Sequence, residues 1–171
     1  MLKKLKATLS DKFKQSGLRW LWLSLLAIGL DQVTKLLVIA EMRLYESIPV
    51  IPFFNITRVH NEGAAFSFLA DAGGWQRWFF TIIAIAISSL IFFWLTKTRR
   101  EQILLPTAFC LILGGAIGNL IDRVAYGYVV DFLDVYYKGY HWPAFNIADS
   151  AIFLGAVLLL IDAFKNTEEK S

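Results

Sequence analysis

Two aspartates are the residues best suited to chemistry in this chain: Asp131, in Val129-Val130-Asp131-Phe132, and Asp149, in Phe145-Asn146-Ile147-Ala148-Asp149-Ser150. Asp149 opens an apolar run, Ala151 to Phe164, which with its lead-in is long enough to cross a bilayer. A carboxylate in or beside hydrocarbon costs roughly 2.5–3.5 kcal/mol on insertion scales, so each is a functional hypothesis by default. Two acids on one face of one membrane can share a proton, one ionised to activate water and the other protonated to polarise a carbonyl. The plainer reading of Asp149 is a helix-start acid interacting with the macrodipole. Other chemistries have less support. Ser67 and Ser150 have no His or Lys in their immediate context to activate them. His60 and His141 lie in different loops without metal-ligand spacing. Cys110 is the single cysteine and sits inside an apolar run, which excludes a disulfide framework and a Cys/His metal set.

The elements that must position these acids are membrane spans. The chain has 57% hydrophobic and 18% charged residues and a mean hydropathy of +0.53, which indicates an integral membrane protein. A bilayer core of about 30 Å needs about 20 helical residues. Four stretches qualify, at about 20–40, 75–95, 103–121 and 145–164, with outer loops 41–74 and 122–144. With no internal repeat and no low-complexity linker, 1–171 reads as a single membrane-embedded domain. Lys3, Lys4, Lys6, Lys12, Lys14 and Arg19 precede the first span, Lys97, Arg99 and Arg100 separate the second and third, and Lys165 and Lys170 follow the fourth. The positive-inside rule makes these segments cytoplasmic, with both termini inside and both acid-bearing segments outside. Asp31 and Lys35 interrupt the first span and no small-residue cleavage site follows it, so it reads as a span, not a cleaved leader. Nothing suggests nucleic acid as a partner, since the basic residues cluster at span ends. In the first outer loop, Val50-Ile51, Phe53-Phe54 and Ile56-Thr57-Arg58-Val59 predict a small extracytoplasmic β-sheet between the first two helices, and Asn61-Glu62-Gly63 a turn before 64–69.

Three further polar groups stand out. Asp31 and Lys35 are four apart on one helix face, acid first, the better order for an ion pair. They lie past the bilayer midpoint, where Lys35 could snorkel outward, and the preferred reading is a structural pair pinning the first span to its neighbours. Gly114 and Gly118 form a small-xxx-small face for close helix approach. Asn119, Asp122 and Arg123 gather within about one turn of that helix. Two readings of Arg123 stand equally: it snorkels, or it forks onto a substrate carbonyl or phosphate. Asn146 is a good N-cap three residues before Asp149. Asp134 rivals Asp131, but an odd offset in an extended segment puts it on the opposite face.

Asp31-Gln-x-Thr-Lys35, Asn61-x-Gly-Ala-Ala-Phe66-Ser67, Gly114-Gly-Ala-x-Gly-Asn119-Leu-x-Asp122-Arg123, Val129-Val-Asp131-Phe132 and Phe145-Asn146-x-Ala-Asp149-Ser150 together resemble the motif series of bacterial lipoprotein signal peptidase, signal peptidase II. The resemblance runs in order from Asp31 to Ser150 without departure at the motif positions. It implies an aspartyl endopeptidase of the bacterial cytoplasmic (inner) membrane, with Asp131 and Asp149 as its dyad at the extracytoplasmic face. The implied partners are membrane lipids and prolipoprotein substrates bearing diacylglycerol on a cysteine, cut just before that cysteine. Asn61, Gly63, Asn119, Asp122, Arg123 and Asn146 would bind substrate or order the dyad, beneath a sheet acting as a cradle. No metal or organic cofactor is implied. Two other classes compete: a small proton- or ion-coupled transporter with the acids as a relay, and a noncatalytic scaffold. A relay predicts acids spread across the bilayer depth, whereas Asp31, Lys35, Asp131 and Asp149 all fall in the outer half or beyond.

Overall fold

The structure, a computed structural model, describes residues 15–63 and 74–168. Its frame is four helices, α1 (Leu21–Glu41), α2 (Gln76–Lys97), α3 (Leu104–Ala125) and α4 (Ile147–Glu168). Each includes a stretch long and apolar enough to cross a membrane. Large apolar side chains such as Leu25, Phe93 and Phe153 project from the helices with more than half their surface free, as expected when the surrounding solvent is lipid. The third span runs to Ala125, four residues past the predicted end, so Asp122 and Arg123 are helical residues and not part of the following loop.

Helix α3 packs against the other three, and its small residues let it do so. A Cβ on Gly114 would stand 2.8 Å from Cβ of Ala27 in α1, and one on Gly115 would collide with the Ala148 carbonyl of α4. The expected small-residue face is therefore two faces on adjacent residues, one per neighbour. Gly118 looks onto the carboxylate of Asp31, whose Oδ2 would lie 2.7 Å from an added Cβ. Close backbone approach in the membrane is gained through such contacts because no hydrophobic effect drives helices together there.

The predicted sheet exists but draws on both loops. Strands β1 (Ser47–Ile51) and β2 (Phe54–Asn61) come from the first, β3 (Val129–Tyr137) and β4 (Tyr140–His141) from the second, in the antiparallel order β1-β2-β3-β4. The sheet thus lies between α1 and α2 only in part, and Asp131 stands in a strand within the second outer loop. Phe132 and Val130 seat β3 on Val38 of α1 and on Met42 just past its end. Arg58 ties β2 to the same helix by donating from Nη1 to the Ile39 and Met42 carbonyls, which the helix end leaves without intrahelical partners. At the opposite end of the bundle Ser16 bridges Arg99, so the start of α1 and the basic α2–α3 connection share one level. The 64–69 segment and the N-terminal lysines lie outside the described residues.

Candidate active site

The sequence left open how Asp131 could reach Asp149. The answer is Phe145: its carbonyl accepts from Phe132 N and Leu133 N at 3.0 and 2.8 Å, and its own N–H donates to the Leu133 carbonyl at 3.1 Å. The residue just ahead of α4 is thereby laced to β3 beside Asp131. Asn146 follows and caps α4 reciprocally with Asp149: Asp149 N donates to Asn146 Oδ1 at 2.8 Å, and Asn146 N to Asp149 Oδ2 at 3.2 Å. This is the capping-box arrangement with Asp at the third helical position. The Asn146 amide group then donates to Asp131 Oδ1 at 2.6 Å. One asparagine holds both carboxylates.

A register change aims the strand residues. Asn55 pairs with Asp134 and Val59 with Asp131, and the pairing slips by one residue between Ile56 and Val59. Side chains alternate faces along a strand, so Asp131 and Asp134, three apart, must point oppositely. Their partners on β2, Asn55, Thr57 and Asn61, are all odd-numbered and would share a face in a regular strand. The bulge removes the conflict, as bulges near functional sites do by re-aiming a side chain. Asn61 donates to Asp131 Oδ2 at 2.9 Å, while Asn55 and Thr57 donate to Asp134 Oδ2 at 3.1 and 3.0 Å. The opposite-face expectation for Asp134 holds. His141, read from sequence as a loop residue, stands half-exposed in β4 with Nδ1 2.7 Å from Asp134 Oδ1.

Three asparagines surround the two acids, and each is oriented by a donor at its oxygen. Asn146 Oδ1 accepts the Asp149 N–H, Asn61 Oδ1 the Gly63 N–H at 3.0 Å, and Asn119 Oδ1 the Lys35 ammonium at 3.0 Å. An amide held this way must turn its NH2 outward, and all three turn it to a carboxylate, Asn119 meeting Asp149 Oδ1 at 2.7 Å. Arg123 adds Nη2 to the Gly63 carbonyl at 3.1 Å and Nη1 to the Asn119 carbonyl at 3.4 Å, with its guanidinium 5.3 Å from the Phe80 ring centre. It does not snorkel: its Nε is buried and has no hydrogen-bond partner among the described residues.

Lys35 does not snorkel either. With 2% of its side chain exposed, it bonds Asp31 Oδ2 at 2.8 Å and Asp122 Oδ2 at 2.9 Å. The expected Asp31–Lys35 pair exists, and Asp122 joins it. Asp122 is thereby buried, bonded to Lys35, to Gln32 and to the N–H of Val130, the residue before Asp131. Gln32 was missed as a member: its Nε2 reaches Asp31 Oδ2, Gly118 O and Asp122 Oδ1 at 3.2, 3.2 and 3.0 Å. An amide in an otherwise apolar span beside Asp31 was the available signal.

Electrostatics separate the two strand acids. Asp131 is 1% exposed, and burial together with the charge of Asp149 pushes its carboxyl up to about 7, against the opposing pull of the Asn61 and Asn146 hydrogen bonds and Lys35. Burial works the same way on Asp134, but hydrogen bonds from His141, Asn55 and Thr57 outweigh it and hold that carboxyl below the usual range. A carboxyl that keeps a proton near neutrality beside a second carboxylate is fitted for acid and base roles.

Comparison with known proteins identifies the family. The profile described as "Signal peptidase (SPase) II" matches residues 23–165. The chain is 63% identical over 159 residues to a lipoprotein signal peptidase of Alteromonas mediterranea, covering 93% of this chain and 87% of that one. It is 58% identical over 156 residues to one of Pseudoalteromonas atlantica, covering 91% and 95%. A solved structure described as a bacterial membrane enzyme, determined in meso at 2.3 Å, superposes with a TM-score of 0.82 at 37% identity over 92% of this chain and 95% of that one. The chain belongs to the signal peptidase II family.

Proposed function

We propose that Asp131 and Asp149 are the catalytic dyad of this membrane protease, which removes the signal peptide from prolipoproteins carrying diacylglycerol on a cysteine and cuts just before that cysteine. The observation that carries the reading is Asn146, whose one side chain and backbone N–H bind both carboxylates. In the resting site Asp131 holds the proton and Asp149, at the positive end of α4, carries the charge. Asp149 takes a proton from a water whose oxygen attacks the scissile carbonyl, while Asp131 gives its proton to the carbonyl oxygen. On collapse, the proton on Asp149 passes to the departing amide nitrogen, the C–N bond breaks, and Asp131 recovers its proton from the hydroxyl.

Asn61, Gly63 and Arg123 hold the substrate backbone in this reading, with the free Arg123 Nε as a spare donor. Asn119 and Asn146 order the dyad. Residues 1–171 act as one peptidase domain in the bacterial inner membrane. The signal-peptide helix and the acyl chains of the precursor stay in the lipid, and the sheet lies over the scissile bond on the extracytoplasmic side. Arg19, Lys97, Arg99 and Arg100 at the bundle end opposite the sheet support cytoplasmic termini.

The test is cleavage by the reconstituted protein of a precursor with and without diacylglycerol, in the presence of hydroxylamine. The lipidated precursor alone is cut, and the released peptide ends in a free carboxylate with no hydroxamate. Equal cleavage of the unmodified precursor would overturn the substrate assignment. Hydroxamate would indicate an acyl-enzyme and overturn direct attack by water.

A further inference from the structure

The dyad rests on a second pair of carboxylates one layer behind it. Asp31 Oδ1 accepts the N–H of Ala148, the residue before Asp149, at 2.9 Å. Asp122 Oδ2 accepts the N–H of Val130, the residue before Asp131, at 3.0 Å. Lys35 lies between them, and its three N–H bonds have three acceptors: Asp31, Asp122 and the Asn119 oxygen that turns the Asn119 amide toward Asp149. Gln32 bridges the same two acids from the half-exposed side. The same contacts thus reach both acids of the dyad, one through α4 and one through β3.

Building on the dyad assignment above, we propose that Lys35 is a positioning residue for both catalytic aspartates, acting through Asp31 on the backbone before Asp149, through Asp122 on the backbone before Asp131, and through Asn119 on the Asp149 carboxylate. A structural pin between α1 and α3 needs only a contact between those two helices. Here each outer acid spends an oxygen on the amide preceding a dyad residue, and the ammonium sets their separation. Lys35 is buried away from any substrate, so its effect falls on the catalytic step and not on binding. Its charge also acts on the proton of Asp131, which is faced in addition by Asp149 of α4 and lies near Arg123 and Asp122 of α3. Removing the positive charge makes the proton of Asp131 harder to lose.

The experiment compares Lys35→Met with wild type in lipid, using a lipidated precursor and measuring kcat, KM and the pH dependence of kcat/KM. The expected result is a fall in kcat of about a hundredfold, the scale of an ångström-sized misplacement. KM should stay unchanged and the alkaline limb should move to higher pH. Helix pinning alone would lower folded yield and leave kcat per folded molecule and the alkaline limb where they are. A folded Lys35→Met of that kind overturns the proposal. Should Lys35→Met fail to fold, Gln32→Leu, which loosens the same two acids from the exposed side, decides: a several-fold lower kcat at unchanged KM supports positioning, and wild-type kcat overturns it. Asp131→Asn serves as the reference. If folded Asp131→Asn remains active, the dyad assignment itself has failed. If it is inactive while folded Lys35→Met keeps wild-type kcat, only the positioning role has failed.

Discussion

Replacing Asp131 by Asn should make the protein more stable above neutral pH and less stable near pH 4. The ordinary carboxyl value is 3.8, and burial with the charge of Asp149 lifts that of Asp131 to about 7. Folded-state protonation therefore adds stability that is fully present below about pH 4 and is lost as pH climbs through about 7. At about 1.4 kcal/mol per pH unit, the wild type gives up about 4 kcal/mol over that window. The amide cannot ionise and avoids this loss. It brings its own cost, since its NH2 must face either Asn61 Nδ2 or Asn146 Nδ2, both donors held in place. Losing one such bond costs about 1–2 kcal/mol. The net expectation is that Asp131→Asn is less stable by about 1–2 kcal/mol near pH 4, where only the lost bond remains, and more stable by about 2–3 kcal/mol at pH 8. For a chain of this size that is roughly 5–10 °C in the unfolding midpoint. Thermal unfolding in one detergent between pH 4 and 8.5 measures it. A constant gap between variant and wild type across that range would refute the argument that Asp131 is held protonated.

Three further outcomes follow from the same geometry. Asp134→Asn should keep most of its turnover per folded molecule, because Asp134 faces away from the dyad. It should lose about 1–2 kcal/mol of stability at pH 7, a loss that stays constant down to about pH 4 and shrinks only below it, because a lowered carboxyl value stabilises fully above the unfolded one; activity as low as that of Asp131→Asn would contradict the face assignment. Gly115→Val should cost about 1–3 kcal/mol or prevent folding, as its Cβ meets the Ala148 carbonyl, and folded yield in lipid reads it; wild-type yield would contradict the α3–α4 contact. Reporters fused after Gly139 should report outside and those after Arg100 inside, given the basic residues at the end opposite the sheet; an inside signal after Gly139 would put the dyad on the cytoplasmic side.

The legible parts were those set by local pattern. Hydropathy located the four spans within a few residues, and alternation placed Asp134 opposite Asp131. Asn146 and Asp149 read as a helix start, and they form one. What the chain did not disclose depends on pairings distant in sequence. Nothing local in 54–61 announces that the pairing slips after Ile56, yet that slip turns Asn61 toward Asp131. The Asp31–Lys35 pair was legible from its spacing, but not that Asp122 and the Asn119 amide join it and bury the ammonium. The bonds of Asp122 to Lys35 and to the Val130 N–H depend on how α3 packs against α1 and β3, which no local pattern discloses. The His141–Asp134 contact was not legible because β4, two residues long, shows no periodicity.

The central claim is that Asp131 and Asp149 together carry out the hydrolysis. The direct measurement is cleavage of, and affinity for, a lipidated precursor by Asp131→Asn and Asp149→Asn, each reconstituted in lipid and shown to be folded. Both should lose turnover by about 10²–10⁴-fold or more, the scale of a removed general acid or base, while binding the precursor nearly as tightly as wild type, because the dyad acts in the transition state. Substantial cleavage by either folded variant would contradict the claim.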